Sequence, residues 1–149
     1  MKIAYQAVFE PADEGGFCVT FPDLADAITE GDSWEEAFYN AEEVLNLVLE
    51  GRMEEGMEIP EPKQHEDGIW VFPSPQVQAA LLVRLARRGR SLAELARALE
   101  TSWPSAQRLE SPKASPTLRQ LNRAAVALGY QLVLSFEPLE AEKQTARVN

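Results

Sequence analysis

Thr101–Glu110 reads TSWPSAQRLE and gathers Ser102, Trp103, Ser105, Gln107 and Arg108 into one decapeptide between apolar stretches. A helix buried on all sides would not collect these side chains. Their shared chemistry is hydrogen bonding to flat, edge-on targets. Glutamine can bond adenine in two places, arginine can bond guanine or phosphate, and serine can bond either. Lys113 follows in the next loop and offers a cation to a phosphate.

Positioning such a set requires two short helices and a tight turn. Ser91 with Glu94 three residues later is a capping signature, and SLAELARAL predicts a helix over 92–98. Ser102 is an N-cap for a second helix over 103–109. Leu95, Leu99, Ala106 and Leu109 would form the shared core, and Ala96 is small where the two helices cross. Left outside are Trp103, Pro104, Ser105, Gln107 and Arg108. The pattern is that of a helix-turn-helix whose second helix enters a DNA major groove. Plain readings stand beside this one. Ser105 and Gln107 can be ordinary solvated residues, Arg108 can pair with a nearby glutamate, and Trp103 can simply lie on the surface.

Flanking helices complete the second half. QVQAALLVRLARRG predicts a helix closed by Gly89, and SPTLRQLNRAAVALG another closed by Gly129. YQLVLSFE at 130–137 alternates Leu132, Leu134 and Phe136 and reads as a lone strand. A lone strand has no ladder partner in its own chain, so pairing with a second copy is expected. A polar tail at 138–149 is expected to be flexible.

The first half follows a different pattern. Residues 2–10 and 17–21 alternate as strands around the turn PADEGG, an antiparallel hairpin, and AIT at 27–29 reads as a short third strand. Ser33 with Glu36 opens a helix carrying Ala37, Phe38, Ala41, Val44, Leu45, Val48 and Leu49 as its apolar stripe, with Gly51 or Gly56 as its stop. IWVF at 69–72, between prolines, predicts one more strand docked back on the sheet.

Charge divides the same way. Residues 1–75 hold 3 basic and 18 acidic residues, a net of −15, whereas 76–149 hold 11 basic and 6 acidic residues, a net of +5, which together return the chain's −10. Two partners of opposite charge are the simplest reading. Cys18 is the only cysteine, which excludes an internal disulfide and fits a reducing compartment. No run is apolar enough for a membrane span, and no apolar leader is read at the start. A cytoplasmic protein is expected, with no cofactor and no metal site. His65 stands alone in a polar linker.

SLAELARALETSWPSAQRLESPKASPTLRQLNRAAVALG resembles the helix-turn-helix of Cro and phage repressors over about forty residues. Where that turn often carries glycine, this chain has Glu100. Separately, GGFCVTFPDL, TEGDSWEEAFYNAEEVL and the proline-rich exit IPEP resemble the HicB antitoxin domain. The likeness extends to about Glu137, and the order of the two domains agrees. It implies a truncated ribonuclease-H-like N-terminal domain without a catalytic set. It also implies a small basic HicA-type toxin partner that cleaves mRNA, and repression of the protein's own operon at an inverted repeat. Glu10, Asp13, Glu14 and Asp23 are the carboxylates expected to meet the toxin.

The expected architecture is therefore α+β. A toxin-neutralising antiparallel sheet with one helix spans 1–73. An all-α helix-turn-helix domain with a terminal dimerising strand spans 76–137 and would make a homodimer or higher even oligomer. Two rivals differ in class. A ribonuclease needs converging carboxylates on two Mg²⁺ ions, yet Glu10 ends its strand and Asp23 and Asp26 lie in turns. A ligand-sensing or orphan repressor would lack the toxin partner altogether.

Overall fold

A computed structural model describes residues 1–139. Four strands form one antiparallel sheet in the order β3-β2-β1-β4: β1 Tyr5–Pro11, β2 Phe17–Phe21, β3 Leu24–Gly31 and β4 Ile69–Val71. Five helices accompany it: α1 Trp34–Glu54, α2 Pro75–Arg87, α3 Leu92–Ala98, α4 Trp103–Arg108 and α5 Leu118–Ala127. The mixed α+β architecture expected from the sequence is present.

The inward face of the sheet carries Tyr5, Ala7, Val19, Phe21, Leu24 and Ala27, all buried. α1 covers it with Ala37, Ala41, Leu45 and Leu49, the i, i+4 stripe of the sequence. Ser33 accepts from the Glu36 amide at 3.2 Å and starts the helix. Gly56 at φ +68 follows its C-cap, so of the two candidate glycines this one ends it, and Gly51 lies within the helix. β3 is longer than the expected three residues. A bulge between Thr20 and Phe21 shifts its register, and charged Asp26 and Glu30 on its exposed side broke the apolar pattern in the sequence.

Residues 57–68 cross back from α1 to β4 and are tied down by polar bonds. The Tyr5 hydroxyl donates to the Pro60 carbonyl at 2.7 Å, and the Lys63 amide donates to Asp23 at 2.9 Å. His65 does not stand alone: its Nε2 meets Asp23 Oδ1 at 2.9 Å, and its amide donates to buried Gln6. Gly68 packs so closely on Gln6 that a Cβ there would lie 2.4 Å from its amide oxygen.

α2 belongs to both cores. Val77 and Leu81 join the sheet–helix core, while Val83 and Ala86 join a second cluster with Leu95, Ala96, Leu99, Ala106, Ala124 and Leu128. Ser74 caps this helix, with proline opening its first turn. The strand expected over 130–137 does not form within the single chain. Residues 130–139 enter no ladder, and beyond Tyr130 their backbone bonds no other described backbone group. The segment instead runs alongside the start of the chain, where Glu137 meets Lys2 at 3.9 Å, without backbone pairing to it. The flexible tail expected at 138–149 lies, past Leu139, outside the described residues.

Candidate nucleic-acid interface and acidic surface

α3 and α4 start the same way. Ser91 accepts from the Glu94 amide at 3.1 Å, and Ser102 accepts from the Ser105 amide at 3.3 Å. Between them the chain turns through Leu99 and Glu100. Glu100 sits at φ +53, the left-handed region, and its amide bonds the Arg97 carbonyl while that of Thr101 bonds the Ala96 carbonyl. This is the Schellman closure, with glutamate at the position glycine takes after α5 at Gly129.

α4 buries Ala106 alone. Leu109 follows it into the second core, packing on Leu95 and Leu99's cluster. Trp103 is 47% exposed, and Ser102, Ser105, Gln107 and Arg108 all face solvent. The Ser102 hydroxyl lies 2.9 Å from that of Ser105, so these two form one local pair. The residues singled out in the sequence thus lie together on one short helix and its cap. Arg108 takes no glutamate partner among the described residues; the pairing arginine is Arg87, which grips Glu110 at 2.7 and 3.0 Å.

Lys113 is placed differently from a free loop cation. Its Nζ lies 2.9 Å from Glu54 Oε1 at the end of α1. The hydrogen bond that the ammonium donates to Glu54, and then the charge of that carboxylate, hold Lys113 above its ordinary pKa. Sequence reasoning had no signal for Glu54, because its partner lies 59 residues away.

The acidic surface gathers elsewhere. Glu10, exposed on β1, stands opposite Cys18 on β2, which stands opposite Glu30 on β3. Glu30 was not singled out in the sequence; only the register brings it into this row. Asp13 and Glu14 are exposed in the turn closed by the Ala12 and Gly15 amides, with Gly15 and Gly16 both at positive φ. Asp23 is set apart from them. Its side chain is only 8% exposed, and both carboxylate oxygens are already bonded, to His65 and to the Lys63 amide. Among the described residues no group of three or more His, Cys, Asp or Glu is arranged to hold a metal ion, and no helix is long and apolar enough to cross a membrane.

The chain thus joins an antiparallel sheet that exposes Glu10 and Glu30 to a cluster of four helices that presents one short polar helix. The family model described as a HicB-like antitoxin of bacterial toxin-antitoxin systems matches residues 5–79, and the chain belongs to that family. Relatives extend the match past the model's limits. The chain is similar to Antitoxin HicB 2 of Photorhabdus laumondii, 35% identical over 134 residues, covering 89% of this chain and 96% of the relative. It is 31% identical to Antitoxin HicB 1 of the same organism, over 91% of this chain and 88% of the relative. Antitoxin HicB of Escherichia coli K12 is 29% identical over 87% of this chain and 96% of its own length.

Proposed function

We infer that this antitoxin works with two surfaces. Its acidic N-terminal part captures a small basic HicA-type toxin that cleaves mRNA, and its α3–α4 pair binds operator DNA as a helix-turn-helix and represses its own operon. The observation that carries the DNA reading is α4. It commits one residue, Ala106, to the core and leaves Ser105 in its first turn, and Gln107 and Arg108 in its second, to solvent, on a helix short enough for all three to lie near the N-terminal end that a recognition helix presents to base edges.

The toxin reading rests on family membership and on the charge of −15 over residues 1–75. Opposite charge speeds capture and fixes orientation. Glu10, Asp13 and Glu14 remain the proposed toxin contacts. Asp23 is better assigned to holding the 63–65 segment, since both of its oxygens are engaged.

Residues 130–139 support the reading of a homodimer. Val133 is 80% exposed, Leu134 65% and Phe136 fully exposed, a run of apolar side chains with an unpaired backbone. Ladder pairing with the same segment of a second copy would satisfy both needs and set two α4 helices on an inverted repeat.

Co-expression with the product of the adjacent short reading frame tests the proposal. The expected result is a stable complex that suppresses mRNA cleavage, together with binding of the chain to DNA upstream of its own gene. DNA binding without any toxin complex would instead make the chain an orphan repressor.

A further inference from the structure

α1 and the loop between α4 and α5 pack on different cores, yet one ion pair joins them. Lys113 Nζ lies 2.9 Å from Glu54 Oε1, with the two side chains 75% and 52% exposed. Neither is held there by packing. Glu54 is the last residue of α1, where the helix carbonyls add partial negative charge, and Glu50 stands one turn before it. Arg52, the nearby basic residue of that turn, is already spent on Asp26 and on the Glu58 carbonyl. Lys113 is the only lysine among residues 76–139 and sits in the loop that leaves α4. In a major-groove complex this loop runs beside the DNA backbone, and a phosphate would seek the same ammonium that Glu54 now holds.

We propose that Glu54 masks Lys113: the terminal carboxylate of α1 occupies a cation that DNA phosphate must win back, so operator affinity is set below what the α4 face alone would give. The inference rests on the DNA-binding reading above. Exposed ion pairs are weak, which makes this mask displaceable rather than locked. A protein partner that drew Glu54 away, or neutralised it, would release Lys113 and tighten DNA binding. α1 would thereby connect the acidic part of the molecule to the nucleic-acid interface by charge alone.

The test uses the full chain and a fluorescein-labelled random-sequence duplex of about 40 bp, because non-specific binding is carried by phosphate contacts. Anisotropy titrations between about 50 and 200 mM salt give affinity and salt slope together. Glu54→Gln is expected to bind about two- to fivefold tighter, with a salt slope steeper by about 0.9, one added phosphate contact. Adding Lys113→Gln should erase that gain, leaving the double variant equal to Lys113→Gln alone. Glu43→Gln, exposed about three turns earlier on α1, should match the unaltered protein. A gain that survives in the Lys113→Gln background would mean a general charge effect and overturn the mask. Unchanged binding by Glu54→Gln would overturn it too, while leaving the DNA reading intact. If neither the unaltered protein nor any variant binds the duplex at low salt, the DNA reading itself falls and takes this inference with it.

Discussion

Arg87 donates from Nε and Nη2 to the two carboxylate oxygens of Glu110, at 2.7 and 3.0 Å, and so ties the end of α2 to the segment leaving α4. Its third nitrogen donates to the Arg90 carbonyl at 2.6 Å. The Glu110 side chain is only 10% exposed. Two parallel charge-assisted bonds in a partly dry site are worth more than a surface pair. Glu110→Ala is expected to lower stability by about 1.5–3 kcal/mol in urea unfolding. A loss under half a kcal/mol would mean that α2 and α4 are held by their apolar contacts alone.

Glu100 holds a left-handed backbone that glycine adopts without strain. Its side chain is exposed, so little packing is lost on removing it. Glu100→Gly should stabilise the protein by about 0.5–1 kcal/mol, the relief of strain less the entropy glycine adds to the unfolded chain. Calorimetry reads this as a higher melting temperature; a lower one would mean that Glu100 makes a compensating contact.

Gln107 is exposed at the centre of the proposed reading face. Replacing it with alanine should weaken binding to the operator by about 1–3 kcal/mol and relax discrimination at one base position. Competition with single-base operator variants measures both. Unaltered affinity and selectivity would remove Gln107 from the readers.

Truncation after Gly129 removes the exposed Val133, Leu134 and Phe136. Monomers by light scattering, and loss of operator binding, are expected. A truncated chain that remains dimeric would place the interface elsewhere.

Tyr5 supplies a pH dependence. Burial first, and then the charge of Asp23, raise its phenol from 10.0 to about 12. The unfolded chain gives up that proton near its ordinary value, whereas the folded chain keeps it. This contribution to stability is therefore constant below about pH 10 and is lost as pH rises from there through 12. Tyr5→Phe should remove that alkaline slope, at the cost of the bond to the Pro60 carbonyl. An equally steep decline in Tyr5→Phe would assign it to other groups.

Much of the fold was legible because its signals are local. Ser33, Ser91 and Ser102 each accept from an amide three residues on, so the starts of α1, α3 and α4 could be read directly. The same is true of the α1 stripe, whose period needs no partner to be seen. β3 extends beyond its visible alternation because the register irregularity opposite Thr20 and Phe21 breaks the period that identifies a strand. The composition of the α4 face was likewise plain, since residues that no core absorbs must face water.

The sequence by itself determined the helices, their caps, the β1–β2 hairpin, the division of charge and the set of side chains that α4 exposes. Only the tertiary structure decided which charges are free. It spent Asp23 on His65, gave Glu110 to Arg87 rather than Arg108, aligned Glu30 with Glu10 across Cys18, and set Lys113 against Glu54. Caps and periodicities act within a turn or two of helix. These pairings join residues 20 to 59 positions apart, and their geometry exists only once sheet and helices have packed.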